Sequence, residues 1–330
     1  MQRAVWTTEG LVVEDAEPGP LAAGWARLQV EACGICGTDL HFLDGQLDPP
    51  LGTVPGHEFV GTLLEAPAGT PDVRYAGSPM VVCGTCEHCV ADELNLCRRG
   101  GDLIGIGRDG GLASWVDVPA ANLVPLADGI GPDVGVLAEP MAVAVRGAGH
   151  ARITNEDTVL VLGAGTIGLL SAAVARLHSD RVVVSARYDH QRAVAAALGL
   201  DVIAEADVQA WGKANKPRVV LETVGGQATT MDTAISVVRR GGTVVVLGTF
   251  PRREVDLFVA ALKEVALLPS YAYATTDGRS DWSTAAAAIA EMRDVLPAVV
   301  THRVPLADVR TAFDVAADKS SGAVKVALTP

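Results

Sequence analysis

The sequence predicts an α/β chain of two domains, one a doubly wound parallel sheet and the other β-rich with a cysteine lobe. Three observations carry that reading. All six cysteines, Cys33, Cys36, Cys83, Cys86, Cys89 and Cys97, lie in the N-terminal third of the chain. A continuous apolar run, Val159-Leu160-Val161-Leu162, leads directly into Gly163-Ala164-Gly165-Thr166-Ile167-Gly168 and an Ala-rich helical stretch. The length of 330 residues exceeds what one core fills, because single cores stop growing near ~250 residues.

Composition narrows the class. Hydrophobic residues make up 49% of the chain, with no repeat or low-complexity tract, as in ordinary globular protein. Aromatics are only 4%, so Val, Ala and Leu must fill the core. The start, Met1-Gln2-Arg3-Ala4-Val5-Trp6, lacks the basic and apolar parts of a signal peptide, and no run of ~18 apolar residues occurs, so the expectation is a cytoplasmic protein. A formal net charge of -13 argues against nucleic acid or an anionic membrane as partner, since both are bound by clustered Lys and Arg. Any anionic ligand needs a local cationic pocket.

The β-rich part carries two candidate metal sites. In a chain with no sign of export, clustered cysteines point to metal rather than disulfides. Cys83, Cys86, Cys89 and Cys97 follow C-x2-C-x2-C-x7-C, with Gly84 and Thr85 in a tight turn, so four thiolates can converge on one tetrahedral ion. Such a closed site is structural zinc, and His88 inside the lobe is left to face solvent. Separately, Cys33-Gly34-Ile35-Cys36-Gly37-Thr38-Asp39-Leu40-His41 and Gly56-His57-Glu58 collect thiolate, imidazole and carboxylate. These are the ligand types of an open Lewis-acid zinc site, which takes three protein ligands and leaves a position for water or substrate.

The second domain follows from Thr158 onward. Strand, glycine turn and helix succeed one another, and Gly163, Gly165 and Gly168 permit the turn, close approach of a pyrophosphate and helix packing, while Thr166 and Ile167 open the helix with free N–H groups. Further apolar strands are expected at 182–184, 219–221 and 244–247, giving a parallel sheet. After the second strand, where NAD binders place an acid for the ribose hydroxyl, the sequence reads Ser185-Ala186-Arg187-Tyr188. Arginine without a carboxylate favours the 2'-phosphate of NADP(H) over NAD(H). Asp189 keeps NAD open, and Arg192 is the alternative phosphate partner to Arg187. Val224 and Leu247, at the carboxyl ends of later strands, are expected to border the nicotinamide.

Taken in order, C-G-I-C-G-T-D-L-H, G-H-E, the four-cysteine lobe and G-x-G-x-x-G resemble the zinc-dependent medium-chain alcohol dehydrogenase family over nearly the whole chain. The resemblance implies a GroES-like catalytic domain over 1–143, a Rossmann domain over 144–277 and a tail, 278–330, that returns to the first. It implies that Cys36 and His57 are catalytic-zinc ligands, with Glu58 a ligand or an exchanging neighbour. Leu137-Ala138-Glu139-Pro140 is similar to the Glu-Pro segment of the polyol, glucose and butanediol branch, making Glu139 a fourth zinc neighbour; the alternative is a carboxylate favoured at a helix start. Cys33 matches no ligand position, and Asp39 resembles the carboxylate that orients the ligand histidine. Thr38 and an exposed His41 resemble the family's proton relay. Lys325, in Gly322-Ala323-Val324-Lys325-Val326, resembles the basic residue that approaches the cofactor pyrophosphate.

The implied activity is interconversion of a secondary alcohol or polyol and its ketone with NADP(H), using two zinc ions per subunit, in a homodimer or homotetramer. Pro269, within the 265–271 strand that would pair between subunits, lacks an N–H and disfavours unbroken pairing there. Two rivals are a zinc-free NADPH quinone or enoyl reductase and a non-catalytic NADP(H)-binding redox sensor. The retained metal residues argue against the first.

Overall fold

The computed structural model describes residues 1–100, 102–252 and 254–330. The chain divides into two compact units, Met1–Glu139 with Asp277–Pro330, and Pro140–Thr276.

The first unit is built on a seven-stranded sheet around Trp25–Gly34, which pairs antiparallel with both Glu58–Glu65 and Trp115–Pro119. Beyond Glu58–Glu65 lie Tyr75–Gly77 and Leu123–Pro125. On the other flank the final strand, Lys325–Thr329, pairs antiparallel with Trp25–Gly34 through Ala327 with Gly34 and Leu328 with Cys33, and Val300–Pro305 runs parallel beside it. The C-terminal segment therefore completes the sheet that the N-terminal segment begins. Its helix Val309–Ala317 contributes Phe313, whose ring meets Trp6 edge-on at 5.9 Å, while Phe42 meets Trp6 at 6.4 Å. Edge-on pairs of this kind add about 0.5–1.5 kcal/mol beyond area burial. In a chain so poor in aromatics, these three rings, with Phe59 and Tyr75, anchor a largely aliphatic core.

The second unit is a six-stranded parallel sheet. From one edge its strands are Asp201–Ala204, Val182–Ala186, Val159–Leu162, Val219–Glu222, Thr243–Val246 and Ala266–Pro269. Chain order along the sheet reverses at Val159–Leu162, the doubly wound Rossmann arrangement, so a crevice opens at the carboxyl ends of the strands on either side of that switch. Every residue of Val159–Leu162 and Val219–Glu222 is buried, as helices covering both faces of a parallel sheet require. Strand Asp201–Ala204 was not among the strands expected from the apolar runs. It is an edge strand whose residues are exposed or half-buried, marked only by the short run Val202-Ile203-Ala204 close behind an Ala-rich helix. Ala266–Pro269 forms the other edge, with Pro269 at its last position, where a missing N–H is tolerated.

Candidate functional site

The residues that gather in the first unit do so because the backbone bends sharply beside them. Cys36 caps the helix Gly37–Leu43 in extended conformation, and the Asp39 carboxylate accepts its N–H at 2.9 Å. Gly56 has φ +96°, and a Cβ there would sit 2.6 Å from the Cys33 sulfur, so only glycine lets the chain turn into His57 and Glu58. Gly34 is equally constrained, since a Cβ would lie 2.1 Å from a Glu58 oxygen. With these turns in place, ligand atoms of Cys36, His57 and Glu58 converge within 4.8 Å of one another.

The electrostatics of this group are those of a cation site. His57 is buried and, among the described residues, its Nδ1 has no hydrogen-bond partner. Burial alone would lower its pKa, but the Cys36 thiol, with the Asp39 and Glu139 carboxylates, outweighs burial and holds it well above the ordinary histidine value. Buried Asp39 is pushed up by desolvation, offset in part by His57 and the Cys36 N–H. A thiol, an imidazole and a carboxylate brought this close together, two of them buried, form a donor set fitting zinc. Glu139, buried near the start of helix Ala138–Ala151, acts on both His57 and Lys325 but stands outside the tight three-residue group. Cys33 is a packed thiol, 1% exposed, whose pKa burial raises.

The structure gives Lys325 partners that the sequence did not indicate. Expected at the cofactor pyrophosphate, it is 3% exposed, and its ammonium donates to Glu58 Oε1 at 2.7 Å, Glu58 Oε2 at 2.5 Å and the Ile35 carbonyl at 3.0 Å. The cause is sheet topology: the last strand lies beside Trp25–Gly34, whose other neighbour begins at Glu58, and Gly34 leaves room for the two side chains to meet. Burial works against the charged amine, but Glu58, Cys36 and Glu139 keep its pKa raised.

Thr38 Oγ1 lies 3.8 Å from the Cys36 sulfur. His41, expected as an exposed imidazole, is half-buried, with an enclosed Nδ1 that has no partner among the described residues; the next residue of its helix, Phe42, is buried. In the cysteine lobe all four thiols are free and their sulfurs fall within 4.8 Å of one another. Backbone N–H groups of Thr85 and Cys86 pull the Cys83 thiol down to about 5, whereas burial and neighbouring thiols push Cys89 up to about 12. Four sulfurs so placed cannot all ionise without a cation between them, which again fits zinc. His88 turns outward to Glu93 at 2.8 Å.

In the second unit the glycine turn has the three roles its spacing implies. Gly163 has φ +97°; a Cβ on Gly168 would lie 1.9 Å from the Gly163 carbonyl; and a Cβ on Gly165, at the start of helix Thr166–Arg176, would meet nothing within 4 Å, leaving that backbone open to a ligand. Two polar residues whose part here the sequence did not indicate hold the turn. Ser185 Oγ accepts the Gly163 N–H at 3.2 Å, and Thr223 donates to the Leu162 carbonyl at 2.7 Å. A third, fully buried Glu222, accepts from Val224 N at 2.9 Å, Gly225 N at 3.2 Å and Thr230 Oγ1 at 2.7 Å, fixing the loop that presents Val224. Val224 is 47% exposed, whereas Leu247 lies close against Gly147. Arg187 is exposed, 3.4 Å from Glu205, while Arg192 is tied to Asp189 and to the carbonyls of Ala186 and Arg187.

Residues 22–128 match the family described as alcohol dehydrogenase GroES-like domain, and residues 132–329 match glucose dehydrogenase C-terminus. L-galactonate-5-dehydrogenase of Escherichia coli strain K12 is 31% identical, covering 88% of this chain and 87% of its own. L-threonine 3-dehydrogenase of Rhizobium etli strain CIAT 652 is 31% identical, covering 96% and 94%. A structure described as a zinc-binding dehydrogenase from Sinorhizobium meliloti 1021, bound to NADP, is 30% identical with a TM-score of 0.86, covering 100% of this chain and 99% of that one. With residues 22–128 and 132–329 matched and the thiolate, imidazole and carboxylate set gathered in the first unit, the chain belongs to the zinc-type medium-chain alcohol and polyol dehydrogenases, enzymes that use a nicotinamide cofactor.

Proposed function

We propose that this enzyme interconverts a secondary alcohol of a hydroxyl-rich substrate, a polyol, sugar, cyclitol or diol, and its ketone, using NADP(H). The observation that carries the reading is the convergence of Cys36, His57 and Glu58 beside Glu139 and Lys325. Cys36 and His57 would hold the catalytic zinc with Glu58 or Glu139 as carboxylate partner, and Cys83, Cys86, Cys89 and Cys97 a structural zinc. When bound, the catalytic zinc supplies Lewis acidity toward the alcohol oxygen, and the nicotinamide supplies the hydride acceptor.

The chain's own groups do the rest. Asp39 holds the Cys36 backbone and favours the charged side of His57, fixing the two donors. Lys325 restrains Glu58, so that this carboxylate is available yet not free to move unopposed. Thr38, next to the Cys36 sulfur, takes the substrate hydroxyl proton and passes it toward His41. Cofactor binding rests on Gly163, Gly165, Thr166, Ile167 and Gly168 for the pyrophosphate, Val224 and Leu247 for the nicotinamide, and Arg187 for the 2'-phosphate. Arg192 serves to brace the turn beneath Arg187, since its guanidinium is already engaged. NADP bound by the Sinorhizobium relative supports the cofactor choice, and the sugar-acid substrate named for the Escherichia coli relative supports a hydroxyl-rich one.

A homodimer or homotetramer is supported by the sheet edge Ala266–Pro269 and the exposed apolar Leu257, Phe258 and Leu262 on the preceding helix. The deciding experiment is a panel of polyols, sugar acids and diols run with NAD and NADP on wild type and Cys36→Ala. Turnover of a polyol-type substrate, faster with NADP and lost in the variant, is expected. Full activity of Cys36→Ala after chelation overturns the proposal.

A further inference from the structure

A second recess, entirely within the 140–276 unit, opens at the end of the parallel sheet opposite the glycine turn. It is formed by the turns that feed three strands: the end of helix Val208–Asn215 before Val219, the end of Thr230–Val237 before Thr243, and the end of Leu257–Lys263 before Ala266. Four-residue strands separate it from the cofactor crevice by roughly 13 Å at ~3.3 Å per residue. Its volume is about 560 Å³, within the range of small-molecule sites.

Its lining is unusual for a protein of net charge -13. Lys213, Lys216, Arg239, Arg240 and Lys263 surround it, and among the described residues no acidic side chain does. Two of the five are accounted for by helix ends: Lys263 donates to the carbonyls of Ile235 and Ser236, both at 2.8 Å, and Arg240 to Leu262. The side chains of Lys213, Lys216 and Arg239 have no hydrogen bond or ion pair among the described residues. Lys216 also occupies a left-handed position, φ 48° and ψ 61°, where glycine is favoured, so a cation stands at the rim where the backbone prefers no side chain. The floor is rigid, because Gly212 packs so tightly on Val237 that a Cβ would lie 2.5 Å from it. Gln209 and Ser236, hydrogen-bonded to each other at 3.0 Å, add neutral donors.

We propose that this recess binds a small ligand carrying two or more linked phosphates, separately from the dinucleotide. Lys213, Lys216 and Arg239 make charge-assisted hydrogen bonds to its oxygens, and the fixed charges of Lys263 and Arg240 add to the field. Linked phosphates are selected because three uncompensated cations on two adjoining helix ends exceed what a single phosphate neutralises. The ligand is free polyphosphate or the phosphate chain of a nucleotide.

The test is calorimetric titration of the full chain, saturated with NADP or NAD to fill the crevice, with inorganic tripolyphosphate, a nucleoside triphosphate and inorganic phosphate. One tripolyphosphate per chain with Kd below ~1 mM is expected, with monophosphate weaker by about tenfold or more. Lys213→Ala with Arg239→Ala should weaken it by at least about tenfold per contact, with dinucleotide affinity and melting temperature unchanged. Lys216→Gly, which relieves the backbone while removing the charge, should weaken it without loss of stability. Tighter binding of the nucleotide identifies the nucleotide as the source; equal binding identifies the polyphosphate chain. The proposal is overturned by no saturable binding, by equal binding of monophosphate, or by unchanged affinity in Lys216→Gly.

Discussion

Lys325→Met tests the least expected contact in the metal-ligand cluster. The substitution nearly preserves side-chain volume and removes the ammonium that makes two bonds to Glu58 and one to Ile35. Glu58 is 1% exposed, so water cannot replace the lost cation. Breaking a buried pair from one side costs about 3–5 kcal/mol, because the remaining charge is left uncompensated. Against a total stability of ~5–15 kcal/mol this is a large fraction. In a domain of this size it corresponds to a fall in melting temperature of roughly 6–20 °C. Adding Glu58→Gln removes the orphaned charge, so the double variant should recover much of the loss. Urea and thermal unfolding, on zinc-loaded and chelated protein, read both steps. A cost under about 1 kcal/mol in both states, or a double variant no more stable than Lys325→Met, would refute the assignment of this pair as a buried, mutually dependent unit.

Four further outcomes are expected. Gly56→Ala forces a Cβ into the Cys33 sulfur and the Leu112 backbone at positive φ, so it should cost about 2–4 kcal/mol in unfolding and lower zinc content at Cys36 and His57. Cys97→Ser should reduce zinc measured by elemental analysis from two ions per chain to one, while hydride transfer by surviving folded protein persists. Arg187→Ala should lower kcat/KM for NADP by about 10–100-fold and leave NAD nearly unchanged, the value of one charge-assisted phosphate contact. Glu222→Gln weakens the carboxylate that three donors share, and dinucleotide Kd measured by fluorescence should rise by roughly 5–30-fold with little change in the alcohol KM.

The parts legible in the sequence are those whose physics is local. Burial along the strand gives Val159–Leu162 and residues 219–221 continuous apolar runs, and steric demands at Gly163 and Gly168 act within six residues. The cysteine lobe is a single short loop whose spacing already limits how its sulfurs meet. Strand Asp201–Ala204 was passed over because its short apolar run, Val202-Ile203-Ala204, follows closely on an Ala-rich helix and belongs to a half-exposed edge strand. Ser185 and Glu222 were passed over for a related reason: each is an ordinary polar residue until its strand is set beside its neighbour, when Ser185 meets Gly163 and Glu222 meets the loop after it.

Lys325 shows where a motif-level reading stops. Its neighbours in sequence, Gly322 to Val326, describe a terminal strand with a basic residue, which is equally compatible with a phosphate or a carboxylate partner. The choice depends on contacts 267 residues away, on which strand the tail joins, and on a glycine at position 34 that clears the path to Glu58. Once the tail is paired beside Cys33 and Gly34, an ammonium at 325 enters a region already crowded with Cys36, Glu58 and Glu139, all of which favour its charge. The same geometry sets a condition on the metal chemistry: for Glu58 to move onto a metal, the Lys325 bonds must lengthen or break, so the pair determines how readily that carboxylate is released. Chelated and zinc-loaded samples of Lys325→Met therefore differ in a way wild type does not, because in the loaded variant Glu58 has a second cation to turn to, and the loss of stability there should be the smaller of the two.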